Sequence, residues 1–455
     1  MQAPHSIQAS GFFTIDFLPS GLSTISKTVG LAGQTATHAP HPMHFFPSTF
    51  GGILIPQYRI KVIITGVSLK MRVYVDHGAT TPVDERVVEA MLPYMREKFG
   101  NASSLHSFGR EASVALEGAR SVIARRIGAQ PDDFIFTSGG SESDNLALRG
   151  VAFGLKDRGR HIITSRIEHP AVLETCGALE RAGFEVTYLN VDAGGFVNLA
   201  ELESNVRKDT ILVSVMHANN EIGTIQDLEG IGKLCRERGV LFHTDAVQSF
   251  TKTEFDVLKH SVDLASFSSH KIYGPKGVGG LYVRSDARRK IVQQITGGHH
   301  EFNLRAGTQN VAGAVGFAKA VEISKKEDNK KMASLRDYLI EGLLALPDSH
   351  LNGPTGERRL CNNANIQFDY VEGESILLML DAKGIAVSTG SACSSQSLEP
   401  SHVLTALGCA PEESHGSIRL TLGRGNTRKE IEYVIDTFGG IIEQLRRMSP
   451  LVRRR

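Results

Sequence analysis

Leu264-Ala-Ser-Phe-Ser-Ser-His-Lys271 is an apolar run that ends in hydroxyls, a histidine and a lysine, and a Gly-Pro-rich turn through Gly277 follows. A lysine held at such a strand end can form a Schiff base with an aldehyde. Ser268 and His270, just before it, are candidate donors to a phosphate. Leu241-Phe-His-Thr-Asp245-Ala-Val-Gln248 repeats the design, with an apolar run that ends in a carboxylate. A carboxylate beside a pyridine nitrogen keeps that nitrogen protonated and makes the ring an electron sink. Gln248 offers an amide donor to a ring phenolate oxygen. Lysine and carboxylate together point to pyridoxal 5'-phosphate. Taken singly, the two segments also suit a surface lysine in a turn and an N-cap aspartate.

A phosphate needs its own cradle. Phe134-Ile-Phe-Thr-Ser-Gly-Gly140-Ser141-Glu-Ser-Asp144 runs from a strand pattern through small residues into a helix. Open N–H groups and the helix dipole make such a start an anion site, which nominates Gly140 and Ser141. Ser141 and Asp144 also have capping-box spacing, the plainer reading. His169, in Arg166-Ile-Glu-His169-Pro, just follows the strand pattern at 161–164. An imidazole there can lie over a flat ring and move protons near neutral pH. Asn220, in Met216-His-Ala-Asn-Asn220, follows the strand pattern at 211–215 and offers an amide to the same space.

One thiol has a setting that suits a nucleophile. Gly384-Ile-Ala-Val-Ser-Thr-Gly-Ser-Ala-Cys393-Ser-Ser-Gln-Ser is a strand followed by a loop of small polar residues. An accessible thiol can act as a nucleophile, whereas one in an apolar core is inert. Ser391, Ala392, Ser394 and Ser395 favour exposure and movement of that loop. Cys176, Cys235, Cys361 and Cys409 stand in helical or mixed contexts and read as structural.

These residues need a scaffold that gathers strand ends. From about 85 to 325, short β-rich runs alternate with helical stretches, at 134–137, 161–164, 184–188, 211–215, 241–244, 264–267 and 280–283. Runs dense in Val, Ile, Leu and Phe suit a mostly parallel sheet covered by helices on both faces. Ligands gather beyond the carboxyl ends of such strands. Residues 71–84 and 326–455 read as a smaller α+β domain that carries the cysteine loop. Residues 1–70 contain one acid, Asp16, and one arginine, Arg59, and show no lasting period. They read as an extension: a targeting segment, a disordered leader, or sequence ahead of a true start at Met71.

Composition narrows the class further. The 455 residues carry 50 basic and 49 acidic side chains, for a net charge of +1. Such a balance gives no global reason to bind nucleic acid or an acidic membrane. The basic end, Arg453 to Arg455, reads as a solvated tail. Five cysteines, with no C-x-x-C pair, argue against a zinc or dithiol site and for a reducing compartment, taken as cytoplasmic. The apolar stretch 51–69 is broken by Arg59 and Lys61, a poor membrane span.

The chain resembles the cysteine desulfurases of the NifS/IscS type, within the class V, fold-type I pyridoxal-phosphate enzymes. The likeness runs from about 71 to 435. Val75-Asp-His-Gly-Ala-Thr-Thr-Pro82, Thr137-Ser-Gly-Gly-Ser-Glu-Ser-Asp-Asn145, Glu168-His-Pro-Ala-Val172 and His217-Ala-Asn-Asn-Glu-Ile-Gly223 carry it. So do Asp245-Ala-Val-Gln-Ser249, Ser268-Ser-His-Lys-Ile-Tyr-Gly-Pro-Lys-Gly277, Arg305-Ala-Gly-Thr308 and Ser388-Thr-Gly-Ser-Ala-Cys-Ser-Ser395. The resemblance implies a homodimer that converts L-cysteine to L-alanine and stores the sulfur as a persulfide on Cys393. It implies delivery to a sulfur acceptor protein such as an iron–sulfur scaffold. It gives Lys271 the cofactor link and His169 the ring face. Asp245 takes the ring nitrogen, and Gln248 and Asn220 the ring oxygen. Gly140, Ser141, Ser268 and His270 take the phosphate, joined by Thr308 from a second subunit. Arg419 takes the substrate carboxylate. Two departures stand out. Gly78 and Ala102 replace a usual alanine and proline, and Phe302-Asn303 replace the Arg that usually follows the Glu of a glycine-rich loop. An aminotransferase or selenocysteine lyase of the same fold, and a non-catalytic docking protein, are the rival readings.

Overall fold

The computed structural model describes residues 71–389, 400–410 and 414–449. The extension at 1–70, the Cys393 loop and the basic tail at 453–455 lie outside the described residues.

The chain opens with β1 (Val73–Tyr74), α1 (Glu85–Arg96), α2 (Ser107–Arg126), β2 (Phe134–Thr137) and α3 (Gly140–Gly154). Then come β3 (His161–Ser165), α4 (Pro170–Arg181), β4 (Glu185–Leu189), α5 (Leu199–Asn205), β5 (Thr210–Ser214) and α6 (Leu228–Arg238). Next are β6 (Leu241–Asp245), β7 (Leu264–Ser268), β8 (Gly279–Val283), α7 (Val311–Glu322) and α8 (Lys326–Leu344). The remaining elements are β9 (Ser349–Leu351), β10 (Asn363–Phe368), α9 (Gly373–Asp381), β11 (Ile385–Ala386), α10 (His402–Ala406), β12 (Ser417–Thr421) and α11 (Arg428–Met448).

Seven strands form one sheet in the order β2-β8-β7-β6-β5-β3-β4. Only β8 runs antiparallel to its neighbours, so the sheet is mostly parallel, as the apolar runs require. β2, β3, β5, β6, β7 and β8 are buried at every position, which explains why they read as unbroken apolar runs rather than alternating ones. The edge strand β4 is the exception, with partly exposed residues along most of its length. Apolar layers cover both faces, one around Phe134, Phe242, Phe267 and Phe317, the other around Leu148, Ile162, Leu212 and Leu281.

A second set of strands has its own apolar cluster. β12-β10-β9 is antiparallel, and β1 pairs with β11 in parallel. α11 begins at a capping box made by Thr427 and Glu430. It buries Ile431, Val434, Phe438, Ile441 and Ile442, a helical spacing that faces this cluster. Phe438 stacks on Phe368 with ring centroids 5.4 Å apart.

The loop that departs from the family pattern is a left-handed turn. Glu301, Phe302 and Asn303 have φ of 45°, 56° and 66°. Three such non-glycine residues in a row persist only where the surroundings hold them. The buried Glu301 carboxylate accepts from Arg120 Nη1 at 2.7 Å, Arg120 Nη2 at 3.0 Å and the Phe136 N–H at 2.8 Å. The Phe302 ring lies 5.1 Å from the Arg120 guanidinium and 4.9 Å from that of Arg288. An aromatic face thus takes up two cations where the family pattern has one more arginine.

Candidate active site

The carboxyl ends of the strands converge on one cavity of about 260 Å³. Gly140 and Ser141 enter it after β2, His169 after β3 and Asn220 after β5. Asp245 ends β6, Ser268 ends β7, and His270 and Lys271 follow in the next turn. Gln248 and Arg419, the latter from β12, complete the lining. Ten residues nominated from the sequence therefore share one chamber. Thr308 is elsewhere: it is exposed and lines a separate cleft with Ser138 and Gly277. Cys393 lies outside the described residues.

The start of α3 corrects one expectation. Ser141 and Asp144 do not form a capping box. The N-cap is Gly139, with φ 159° and no side-chain cap, and Ser141 is already inside the helix. Ser143 turns inward, donating to the carbonyls of Gly139 at 3.1 Å and Gly280 at 3.0 Å. The uncapped helix start faces the cavity through Gly140 and Ser141. Uncapped N–H groups at the positive end of a helix favour an anion there. Gly140 has to be small, because a Cβ would stand 2.7 Å from Val247 Cγ2. Arg305 secures this end from outside, its Nε 2.9 Å from Glu142 Oε1.

Lys271 projects its Nζ to the carbonyls of Gly78 at 2.6 Å and Ala79 at 2.8 Å. Burial, then Arg419 and Lys252, push its pKa down to about 8. A lysine so placed offers an uncharged amine near neutral pH far more readily than a surface one. Gln248 Nε2 donates to the same Gly78 carbonyl at 2.9 Å. Asp245 Oδ1 accepts from the Val247 N–H at 2.8 Å, and burial raises its pKa. His169 caps α4, with Nδ1 accepting from the Ala171 N–H at 3.1 Å. Burial, with Lys271 and His402 nearby, lowers it to about 4, so its ring is neutral at pH 7. His270 shares a hydrogen bond with Thr80 Oγ1 at 3.1 Å, and burial lowers it to about 4.

Arg419 has a partner that the sequence reading missed. Its Nη2 is 3.0 Å from Asp76 Oδ1, and its Nη1 donates to the Asn220 carbonyl at 3.2 Å. Its buried Nε has no partner among the described residues. A buried N–H without an acceptor is costly, so the guanidinium is set to receive one. Two further acids were also missed. Glu168 is fully buried, accepting from the Ser165 hydroxyl at 2.5 Å and the Met216 N–H at 3.0 Å, and burial pushes it up to about 8. Asp144 lines the cavity, is buried, and has one oxygen without a hydrogen-bond partner among the described residues; burial and the neighbouring Asp245 raise it. Their signals were available only as neighbours of chosen residues: Glu168 precedes His169, and Asp76 lies in the quoted 75–82 segment.

This donor set fits a flat pyridine ring bearing a phosphate and an aldehyde. An amine, a buried carboxylate, an imidazole and an uncapped helix start surround one cavity, with a partnerless arginine Nε at its edge. Among the described residues, no group of three or more His, Cys, Asp or Glu could hold a metal ion. No described helix is long and apolar enough to cross a membrane.

The chain matches the Aminotransferase class-V family over residues 73–434. It is 54% identical over 386 residues to the cysteine desulfurase IscS of Dictyoglomus turgidum, covering 84% of this chain and 97% of the relative. Identity is also 54% over 383 residues to the cysteine desulfurase IscS of Methanosarcina thermophila, covering 83% of this chain and 94% of the relative. A solved NifS-like protein superposes with a TM-score of 0.77 at 42% identity, covering 82% of this chain and all of that one. A structure of SspA in complex with cysteine gives a TM-score of 0.71 at 38% identity, covering 78% of this chain and 99% of that one. The chain belongs to the class V aminotransferase family, among its cysteine desulfurases of the NifS/IscS type.

Proposed function

We propose that this protein uses pyridoxal phosphate to convert L-cysteine to L-alanine, with the sulfur passing to Cys393 as a persulfide. The observation that carries this reading is the single cavity shared by Lys271, Asp245, His169, Arg419 and the uncapped start of α3.

Pyridoxal phosphate, when bound, supplies an electron sink for the charge left on the substrate as its α-proton departs. The chain's own residues do the rest. The α3 start, with Ser141, Ser268 and His270, holds the phosphate. Asp245 keeps the ring nitrogen protonated, and Gln248 and Asn220 address the ring oxygen. The neutral imidazole of His169, which lines the cavity, would cover one ring face. Lys271 Nζ would carry the covalent link to the aldehyde. It would also move the α-proton together with His169. Arg419 grips the substrate carboxylate, and its partnerless Nε supplies one of the donors. The Cys393 thiolate attacks the substrate sulfur. The new S–S bond forms as the C–S bond breaks, and that electron pair stays with the alanine fragment.

The reading extends to organisation and partners. Residues 85–325 act as the cofactor-holding domain, and 71–84 with 326–455 as the smaller one that brings Arg419 and Cys393. A second copy of the chain pairs with the first. Two features support the pairing. Phe99 and Phe108 lie 5.8 Å apart with Leu105 and Val114 nearby in sequence, all exposed. Thr308 lines a cleft other than the active-site cavity of its own chain, as suits service to a neighbour. The persulfide passes to an acceptor protein, an iron–sulfur scaffold among them, in the cytoplasm.

The test is alanine formation from L-cysteine by the purified yellow protein. Lys271→Ala is expected to lower the rate at least about 10³-fold and abolish the covalent cofactor link. Near wild-type turnover in that variant would overturn the reading.

A further inference from the structure

Lys252 has no role in the mechanism above, yet it joins two of the segments that mechanism needs. It follows Thr251, whose backbone is left-handed at φ 65° and whose carbonyl accepts from Asn329 Nδ2 at 2.8 Å. A threonine in that region is uncommon and has to be held there. The Lys252 Nζ donates to the Gln248 carbonyl at 2.9 Å and to the Lys271 carbonyl at 3.3 Å. One ammonium thus ties the Asp245–Gln248 segment to the turn that carries Lys271. Among the described residues Lys252 makes no ion pair, and its partners are these two carbonyls.

Several charged groups surround the two amines. Arg419, Lys252, Asp76 and Asp245 act on Lys271, with His169 and His270 alongside. Cys361 and His77 face Lys252. Lys325, Asp328 and Arg424 line the narrow cleft that it shares with Lys271. The two acids near Lys271 pull it toward the ammonium, and the two cations push it toward the amine. Attack on an aldehyde carbon starts from the nitrogen lone pair, which only the uncharged amine has.

We propose that Lys252 is a positioning residue that clamps the Gln248 and Lys271 segments together and, as a second cation, biases Lys271 toward its uncharged amine. This deepens the function proposed above, since it rests on Lys271 as the cofactor lysine. Burial lowers Lys252 to about 8 as well, so the two amines titrate over the same range and removing one charge lifts the other's titration.

The experiment follows Lys271 in the full-length apoenzyme, without turnover. Trace acetic anhydride is applied across a range of pH, and peptide mass spectrometry reads acetylation at Lys271. Wild type is expected to show a midpoint near pH 8. Lys252→Met is expected to raise the midpoint by about half a unit, and Lys252→Arg to hold it at or below that of wild type. Thermal melts confirm that each variant is folded, and Lys252→Gln replaces the methionine variant if that one does not fold. An unmoved midpoint in the folded neutral variant overturns the proposal. So does an equal rise in Lys252→Arg, since packing alone would then explain it. Failure of Lys271 as the cofactor lysine shows up separately, as the absence of a pyridoxyl adduct on the Lys271 peptide after borohydride reduction of the wild-type holoenzyme.

Discussion

The two walls of the cavity handle charge in opposite ways. On the sheet side lie three buried acids, Asp245 at the end of β6, Asp144 inside α3 and, behind the lining, Glu168 after β3, and burial raises all three above the ordinary carboxylate range. His243, behind them, is pushed down to about 3 and stays neutral. Lys271 is the cation that acts on Asp245 among the described residues, and a cationic ring nitrogen would relieve the buried carboxylate further. The opposite wall holds a standing guanidinium, Arg419, tied to Asp76 and keeping one N–H without a partner. It is built to receive an anion. On the proposed function, this difference would set the ring nitrogen toward Asp245 and the substrate carboxylate toward Arg419.

Substitutions on each wall separate the two roles. Asp245→Asn keeps shape and removes the ring-nitrogen partner. It is expected to lower kcat about 10²- to 10³-fold, with little change in KM for cysteine. Arg419→Gln is expected to raise KM and lower kcat/KM about 10- to 150-fold, the worth of a lost charge-assisted contact. Steady-state alanine production reads both. If both variants change the same parameter, the division between the walls fails.

A pH series sharpens the comparison at Lys271, which sits between the walls. Its pKa is lowered to about 8, so the amine is charged below that pH and neutral above it. Capture of added pyridoxal phosphate by the apoenzyme is therefore expected to slow about tenfold per unit below pH 8 and to level off above it. Absorbance during reconstitution follows this. A rate still climbing at pH 10 would mean that Lys271 behaves as an ordinary lysine.

The smallest effect is expected at Gly78, where the family usually has alanine. Its N–H donates to Thr421 Oγ1 at 2.6 Å, and its carbonyl receives both Lys271 and Gln248. An added Cβ would stand 3.0 Å from Thr421 Cγ2, a gap that a small shift relieves. Gly78→Ala is expected to change kcat/KM less than about threefold and stability by about 1 kcal/mol or less. A larger loss, measured by turnover and thermal melting, would show that this chain is adapted to the missing methyl.

The sheet side was legible in the sequence only in part: residues that end apolar runs were found, whereas the places of Asp144, inside α3, and of Glu168 were missed. The strand pattern alone places Asp245, Ser268 and Lys271 at carboxyl ends, and a parallel sheet brings those ends together. The opposite wall was not legible by that route. Asp76 and Arg419 are 343 positions apart and meet because Asp76 bridges Thr421 beside β12, a pairing that no local period encodes. Arg419 was found through family resemblance, and its partner was missed. The capping-box reading at Ser141 failed because the N-cap of α3 lies two residues earlier, at Gly139, which has no side chain to cap with. Lys252 was passed over because its partners are backbone carbonyls, which leave no mark in side-chain spacing.

The central claim is that sulfur from cysteine comes to rest on Cys393. Intact-mass spectrometry after brief exposure to L-cysteine, followed by peptide mapping, tests it most directly. The account predicts a gain of one sulfur atom on the peptide that contains Cys393, lost in Cys393→Ala along with alanine release, while the yellow colour remains. A sulfur adduct on another cysteine, or undiminished alanine release by Cys393→Ala, would contradict it.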